Sequence, residues 1–230
     1  MHSDLPQSGP ADGVLFDLDG LLLNTEVIYT RVSREIVSRY GKTFDWSVKA
    51  NMIGRPAIDS SRHLVEALNI PMTPEEYLEE REELLRKYLA ECKPLPGAEK
   101  LIRHLHRHKI PIAIATSSSQ ELYEIKVRHH RSWIDLFDAV VTSDDPAVNH
   151  GKPSPDIFLV AASSLEIQAS RTLVFEDAPS GLEAGKAAHM QVIVVPDPNM
   201  DKSRYEGAVQ ILGSLLDFDP PRFGLPAFVD

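Results

Sequence analysis

The stretch VLFDLDG, from Val14 to Gly20, carries the pattern that decides the fold. Its first three residues are apolar without polar alternation, which is typical of a strand buried on both faces in a parallel sheet. In an extended chain, residues two apart point to the same side, so Asp17 and Asp19 can direct their carboxylates into one pocket. The stretch therefore predicts a buried strand that delivers two acids to one place.

Four more short apolar runs follow the same plan, and each ends in a turn-like or polar cluster. They cover residues 110–115, 139–142, 173–175 and 192–195. Helical patterns lie between the runs, at residues 98–108 and 181–189. This alternation of strand and helix predicts an α/β fold with a doubly wound, Rossmann-like parallel sheet.

Residues 23–94 break the alternation, because they are rich in helix formers and contain no convincing buried strand. Residues 75–91 predict a charged helix, with Thr73 as its N-cap and Pro74 in its first turn. One interpretation is a long helical hairpin packed on the sheet, and the other is an insert over the carboxyl ends of the strands. We expect the insert, which gives a core of residues 1–22 and 95–230 and a helical cap of residues 23–94.

The net charge of −10 argues against a nucleic-acid-binding surface. A local cation must therefore attract an anionic substrate. The single cysteine, Cys92, excludes an internal disulfide and fits a reducing compartment. Residues 1–12 lack the apolar segment of a secretory signal, and no apolar run is long enough to span a bilayer. We expect a cytoplasmic monomer that acts on a small molecule, with no nucleic-acid or membrane partner.

The pair Asp17 and Asp19 favours metal-assisted phosphoryl chemistry. Two neighbouring carboxylates repel each other unless they share a proton or a cation. Mg²⁺ takes oxygen ligands and keeps waters that a phosphate can displace. One carboxylate can then attack phosphorus while the other moves a proton. A solvated turn is the alternative, because a D-x-D-G pattern is common by chance.

Two further clusters offer groups that could bind a phosphoryl oxygen. Thr116 and Ser117 begin a Ser-rich turn after a predicted strand, with hydroxyl and backbone N–H donors. Lys152 stands between Gly151 and Pro153, where a stiff loop would hold its positive charge in a fixed place. Taken alone, an ordinary turn and a solvated lysine are the simpler interpretations.

Glu176 and Asp177 complete the pattern at the end of another apolar run. Two acids at a buried strand end are costly unless a cation lies there, although a carboxylate at a helix start is the alternative. Together, the four clusters supply acids, a hydroxyl and a lysine at the carboxyl ends of strands, where such folds bind ligands. Phosphoryl transfer needs that set of groups.

In this order, Asp17-x-Asp19-Gly20, Thr116, Lys152 and Glu176-Asp177 resemble the four motifs of the haloacid dehalogenase-like hydrolase superfamily, and the helical insert resembles its type 1 cap. The resemblance implies a Mg²⁺-dependent phosphatase with Asp17 as nucleophile and Asp19 as acid and base. It also implies roles for the remaining motif residues. The Mg²⁺ ligands would be Asp17, the Asp19 backbone carbonyl and Asp177, with Glu176 near or in the shell, while Thr116, Ser117 and Lys152 would hold the phosphoryl group.

The segments FDLDGLLLNTE (16–26), LVFEDAPSGLEA (173–184) and FGLPAF (223–228) are similar to the pseudouridine-5′-phosphatase subfamily. Plant-type glycerol-3-phosphatases share much of this sequence. The resemblance implies pseudouridine 5′-phosphate or a similar sugar or nucleoside monophosphate as substrate. A glycerol-3-phosphate phosphatase, a hexose-phosphate mutase and a non-catalytic binding module stay as alternatives. Asp19 favours phosphoryl transfer over dehalogenation, because true dehalogenases do not use this second aspartate.

Some positions outside the motifs bear on specificity and stability. Arg55 lies in a segment that resembles the cap loop facing the site, so we expect it to contact a substrate hydroxyl or phosphate, with a solvated arginine as the alternative. Asn24 stands where Asp is typical, and His189 where Gly is common at a helix end. A basic cluster after the Ser-rich turn predicts a solvated helix face: Lys126, His130 and Arg131.

Overall fold

A six-stranded sheet organises the protein in a computed structural model that describes residues 9–53 and 56–228. The strands are β1 (Gly13–Phe16), β2 (Ile112–Ala115), β3 (Ala139–Val141), β4 (Thr172–Glu176), β5 (Gln191–Val194) and β6 (Gln210–Ile211). Their order is β3-β2-β1-β4-β5-β6, and every neighbouring pair is parallel. The predicted α/β class with a doubly wound parallel sheet is therefore confirmed.

Helices surround this sheet. They are α1 (Glu26–Ser38), α2 (Trp46–Lys49), α3 (Ala57–Leu68), α4 (Pro74–Tyr88), α5 (Ala98–Arg107), α6 (Gln120–Val127), α7 (Arg131–Ile134), α8 (Asp156–Ser164) and α9 (Pro179–Ala187). Short 3₁₀ turns cover Leu89–Glu91, Ala169–Arg171, Lys202–Tyr205, Leu215–Asp217 and Pro220–Phe223. Within the described ranges, no helix combines the length and the apolar character needed to cross a bilayer.

The apolar runs form strands because the sheet buries them on both faces. All residues of β1, β2, β4 and β5 are buried. On one face, the Phe16 and Phe175 rings stack at 5.0 Å, and Phe218 from the C-terminal segment meets Phe175 edge-on at 4.8 Å. On the other face, Leu15 and Val174 belong to a separate apolar cluster. Strand β6 was not predicted, since its two residues carry no recognisable pattern.

The segment between β1 and α5 is helical. No strand occurs in its described residues, 24–53 and 56–93. Helix α4 begins as predicted, because the Thr73 hydroxyl accepts from the Glu76 backbone N–H at 3.1 Å and the Glu76 carboxylate accepts from the Thr73 N–H at 2.7 Å. This reciprocal pair is a capping box, and Pro74 occupies the first turn.

The chain enters and leaves this helical segment at one place. The Asn24 N–H donates to the Lys93 carbonyl at 2.8 Å, and the Leu95 N–H donates to the Leu22 carbonyl at 2.9 Å. Leu23 and Pro94 form an antiparallel bridge between these two bonds. The two chain segments that connect the helical segment to the sheet are thus hydrogen-bonded to each other.

Candidate active site

Strand register brings the predicted acids to one edge of the sheet. Strands β1 and β4 pair so that Phe16 stands opposite Phe175. The Asp17 N–H continues the ladder and donates to the Phe175 carbonyl at 3.0 Å. Asp17 therefore lies beside Glu176, although 159 residues separate them in the sequence.

Lys152 lies between these two acids, in the loop before α8. Its Nζ is 2.6 Å from Asp17 Oδ1, 2.6 Å from Glu176 Oε1 and 3.0 Å from the Ala115 carbonyl oxygen. Burial lowers the pKa of Lys152, but the negative charges of Asp17 and Glu176 outweigh burial and raise its pKa above the usual value. Lys152 is thus a buried, fully hydrogen-bonded cation beside Asp17.

Three acids form a cluster around this point. One carboxylate oxygen from each of Asp17, Glu176 and Asp177 lies within 4.8 Å of the others. Burial raises the pKa of Asp17 to about 7; Lys152 opposes this shift and Glu176 adds to it. Burial and then the charge of Glu176 also raise the pKa of Asp177 well above its usual value. The negative charge here exceeds what Lys152 neutralises, so the donor set fits a hard divalent cation such as Mg²⁺.

Glu176 is held more tightly than its neighbours. Its Oε1 accepts from Lys152, and its Oε2 accepts from the Asp177 and Ala178 backbone N–H groups at 3.0 and 3.2 Å. Both oxygens therefore already have protein partners. Asp17 and Asp177 have carboxylate oxygens better placed to receive a cation, and Glu176 orients Lys152.

Two glycines allow this close packing. At Gly20, where φ is +79°, an added Cβ would lie 3.0 Å from Asp177 Cγ. At Gly181, an added Cβ would overlap the Glu176 carboxyl group. The backbone of two segments thus approaches the acids as closely as only glycine permits.

Asp19 does not join the acid cluster. Its carboxylate accepts from Lys126 Nζ at 2.7 Å on Oδ1 and 2.8 Å on Oδ2, from the Tyr29 hydroxyl at 3.0 Å and from the Ser118 hydroxyl at 2.8 Å. Burial raises the pKa of Asp19, but the charge and hydrogen bonds of Lys126 outweigh it and lower the pKa below 3.8. Asp17 and Asp19 therefore each have a separate lysine, rather than one common cation.

The Ser-rich turn contributes differently from what its first two residues suggest. Thr116 is fully buried, and its Oγ1 accepts from the Ser118 N–H at 3.1 Å and lies 3.4 Å from Asp19 Oδ2. Ser117 is exposed, whereas Ser118 is buried and contacts both Asp19 and Lys126. Ser118 was not among the predicted site residues.

The prediction of a solvated basic face was wrong for two of its three members. Lys126 and His130 are buried, and His130 Nε2 lies 2.9 Å from the Cys92 carbonyl oxygen. Arg131 is half-buried, with a side chain that is 42% exposed and paired with Glu124 and Asp135. A signal was present in the sequence. The buried residues Tyr123, Lys126, Val127 and His130 follow the i, i+3, i+4, i+7 spacing typical of a buried helix face, although His130 lies in the turn after α6.

A cleft of about 480 Å³ opens beside Asp177. The helical segment contributes Asn24, Glu26 and Lys49 to its lining, and the sheet side contributes Asp177 and Ser214. Glu26 and Lys49 form an ion pair at 2.9 Å. The predicted contact of Arg55 falls outside the described residues.

Comparison with known proteins gives concordant results. The sequence profile described as haloacid dehalogenase-like hydrolase matches residues 14–195. The chain is 47% identical to (DL)-glycerol-3-phosphatase 1, mitochondrial, of Arabidopsis thaliana, across 96% of this chain and 76% of that protein. It is 43% identical to the probable pseudouridine-5′-phosphatase of Drosophila melanogaster, across 94% and 95% of the two chains. A solved hydrolase of the same family from Deinococcus radiodurans R1, with bound phosphate and sodium, superimposes with a TM-score of 0.78 at 25% identity, covering 96% and 100%.

Proposed function

Because the chain belongs to the haloacid dehalogenase-like hydrolases and is a phosphoric monoester hydrolase, we propose that it hydrolyses small, hydroxylated phosphate monoesters with the help of Mg²⁺, through a phosphoryl group carried on Asp17. The observation that carries the proposal is the contact of Lys152 with both Asp17 and Glu176, beside the carboxylate of Asp177. A nucleophile, a fixed cation and an acid pair stand together at one sheet edge.

Mg²⁺ is proposed to bind between Asp17 and Asp177, with the Asp19 backbone carbonyl as a further ligand. When bound, it would neutralise the excess acid charge and polarise the phosphoryl oxygens. Glu176 is proposed to act through Lys152, since both of its oxygens accept protein hydrogen bonds. Lys152 and Thr116, with Ser117 at the exposed side of the turn, are proposed to bind the phosphoryl oxygens.

The reaction proposed for Asp17 and Asp19 has two half-reactions. An oxygen of Asp17 bonds to phosphorus, the bond from phosphorus to the ester oxygen breaks, and Asp19 gives a proton to the leaving alkoxide. Water then bonds to phosphorus, the bond to Asp17 breaks with return of its electron pair to the carboxylate, and Asp19 takes the proton from water. Free phosphate leaves.

The helical segment of residues 23–94 is proposed to be a cap that closes over this site. The backbone hydrogen bonds between residues 22–24 and 93–95 support this division, because they show that the chain leaves the sheet and returns to it side by side. Closure would exclude water during the first transfer. Arg55 is proposed to contact the substrate from the cap. All the proposed groups come from one chain, so a monomer suffices.

Pseudouridine 5′-phosphate or a similar sugar or nucleoside monophosphate is the first candidate substrate. The Drosophila relative supports it, and the cleft volume lies within the range of about 300–1,000 Å³ typical of small-molecule sites. Glycerol 3-phosphate is the second candidate, which the Arabidopsis relative supports.

Phosphate release from both esters, with and without Mg²⁺, tests the proposal. We expect Mg²⁺-dependent release that Asp17→Asn abolishes, with an unchanged circular dichroism spectrum. Turnover by Asp17→Asn at a near-normal rate would refute the role of Asp17. With a hexose monophosphate, an isomerised ester in place of free phosphate would instead indicate a mutase.

A further inference from the structure

Within residues 9–53 and 56–228, the four sequence motifs leave the charge of one buried lysine without a role. Lys126, on α6, has a side chain with 0% exposure. A lysine ammonium that is removed from water is costly unless its charge is paired and its hydrogens are bonded. Its partner is Asp19, the proposed acid and base, and it also donates to the Ser118 hydroxyl. The pairing therefore connects a residue outside the motifs to the proton-transfer group.

The contact geometry separates Lys126 from the other donors around Asp19. Lys126 Nζ lies 2.7 Å from Oδ1 and 2.8 Å from Oδ2, so it contacts both carboxylate oxygens. Tyr29 reaches only Oδ1, and Ser118 and Thr116 reach only Oδ2. A donor that contacts both oxygens fixes the rotation of the carboxylate as well as its place.

The element that carries Lys126 is anchored at several points. The Lys126 carbonyl accepts from Cys92 Sγ at 3.5 Å, in the segment that returns from the helical region to the sheet. At the other end of α6, Glu121 pairs with Arg86 of α4 at 2.8 Å. A side chain based on a held helix positions its partner more precisely than one on a loop.

We propose that Lys126 is a positioning residue, which holds the Asp19 carboxylate where it takes the proton from the water that hydrolyses phosphoryl-Asp17. This inference rests on the proposed function. In that step the water oxygen bonds to phosphorus, the phosphorus–Asp17 bond breaks, and the proton of the water passes to Asp19. A displaced Asp19 leaves the phosphoryl group on Asp17.

The variant Lys126→Met keeps an unbranched side chain of nearly the same length and removes its charge. The substrate is p-nitrophenyl phosphate, because p-nitrophenolate leaves without a proton and the first half-reaction then needs no acid. We expect a rapid burst of about one p-nitrophenolate per enzyme, followed by steady turnover reduced about 100-fold, in the range that positioned acid–base groups contribute. Arg131→Met is the matched control, since it removes a half-buried cation that lies four residues beyond the end of α6 and outside the site, and it should leave turnover unchanged.

A purely structural role predicts a different result. Partial misfolding of Lys126→Met would lower the burst amplitude and the steady rate together. A lowered steady rate with no burst would therefore overturn the inference. Turnover within threefold of wild type would overturn it as well.

A second comparison does not depend on the stability of Lys126→Met. The turnover of Asp19→Asn is compared with that of the double variant Asp19→Asn/Lys126→Met. The double variant contains no unpaired carboxylate at position 19, because that carboxylate is already removed. Equal turnover in the two supports an action of Lys126 through Asp19, and a further fall in the double variant contradicts it. If the wild type releases no p-nitrophenolate with Mg²⁺, the proposed function fails too. An active wild type with no burst in Lys126→Met refutes only the role of Lys126.

Discussion

Gly181 offers a sharp test of how the acid cluster is built, through the substitution Gly181→Ala. Gly181 lies in α9, where alanine is normally the better residue by about 1 kcal/mol. Here its Cβ would come closer to the Glu176 carboxyl carbon and oxygens than the 3.0 Å that real Cβ atoms keep from neighbours. Glu176 cannot easily withdraw, because it is 1% exposed and bonded through both oxygens. We therefore expect alanine to destabilise this helix position.

The size of the destabilisation follows from the packing and the hydrogen bonds that Glu176 loses. Overpacking a filled site costs about 1–3 kcal/mol. Moving the carboxylate also breaks at least one charge-assisted hydrogen bond, worth about 1.5–3 kcal/mol. After subtraction of the helix-propensity gain, we expect the free energy of unfolding to fall by about 3 kcal/mol. Lys152 loses an anchor beside Asp17 at the same time, so the rate of phosphate release should fall.

Urea unfolding followed by circular dichroism measures this change, and Glu176→Ala supplies the control. In Glu176→Ala, the three atoms that lie nearest to the new methyl group are absent. Gly181→Ala added to Glu176→Ala should then be neutral or stabilise by up to about 1 kcal/mol. The reasoning is refuted if Gly181→Ala destabilises equally in both backgrounds, or if it stabilises the wild type.

Three further predictions concern backbone strain, metal and pH. His189 has φ +58° at the end of α9, so His189→Gly should raise the free energy of unfolding by roughly 0.5–1 kcal/mol. Asn69→Gly (φ +48°) should change the free energy of unfolding less, because Asn tolerates this conformation. Equal shifts of the two variants in urea unfolding would contradict this prediction. Mg²⁺ at 100 times its Kd should stabilise the wild type by about 2.7 kcal/mol in thermal melts. The variant Asp177→Asn should lose most of this stabilisation. An equal stabilisation of the variant would disprove a ligand role for Asp177. In the metal-free protein, the pKa of Asp17 is raised from 3.8 to about 7, so the folded state binds a proton more tightly than the unfolded chain. Stability should therefore fall as pH rises from about 4 to 7, and Asp17→Asn should flatten that slope in urea titrations at several pH values; an unchanged slope would contradict the shift.

The sheet was predictable because its four central strands, β1, β2, β4 and β5, are fully buried. A strand such as β4 shows a continuous apolar run, and the polar residues that follow it mark the strand end. Asp17, Lys152, Glu176 and Asp177 could be grouped for the same reason, since the carboxyl ends of parallel strands meet at one edge. Strand β6 could not be found, because two residues provide neither length nor periodicity.

For Lys126, residue type and helical position indicate opposite environments. A lysine near other basic residues normally indicates solvent, since burying an ammonium is costly. The compensating partner, Asp19, lies 107 residues away in sequence. Only the spacing from Tyr123 to His130 marked the buried face, and the identity of the partner required the fold. Buried ion pairs between distant segments are therefore the part of this site that local patterns leave undetermined.

Local charges at the site explain how a protein with a negative net charge can accept a phosphate ester. The chain carries a net charge of −10, so long-range attraction does not favour an anion. Lys152 pairs with Asp17 and Glu176, and Lys126 pairs with Asp19, which leaves the negative charge in excess near Asp177. Burial, with the charge of Glu176 adding to it, raises the pKa values of Asp17 and Asp177, so ionised carboxylates are costly here without a cation. A divalent cation would remove it at the point where the proposed phosphoryl group must come within bonding distance of Asp17. The site therefore depends on local charges at short range, which bulk salt screens much less than charges on the surface. Phosphate release should accordingly depend strongly on Mg²⁺ and only weakly on added monovalent salt.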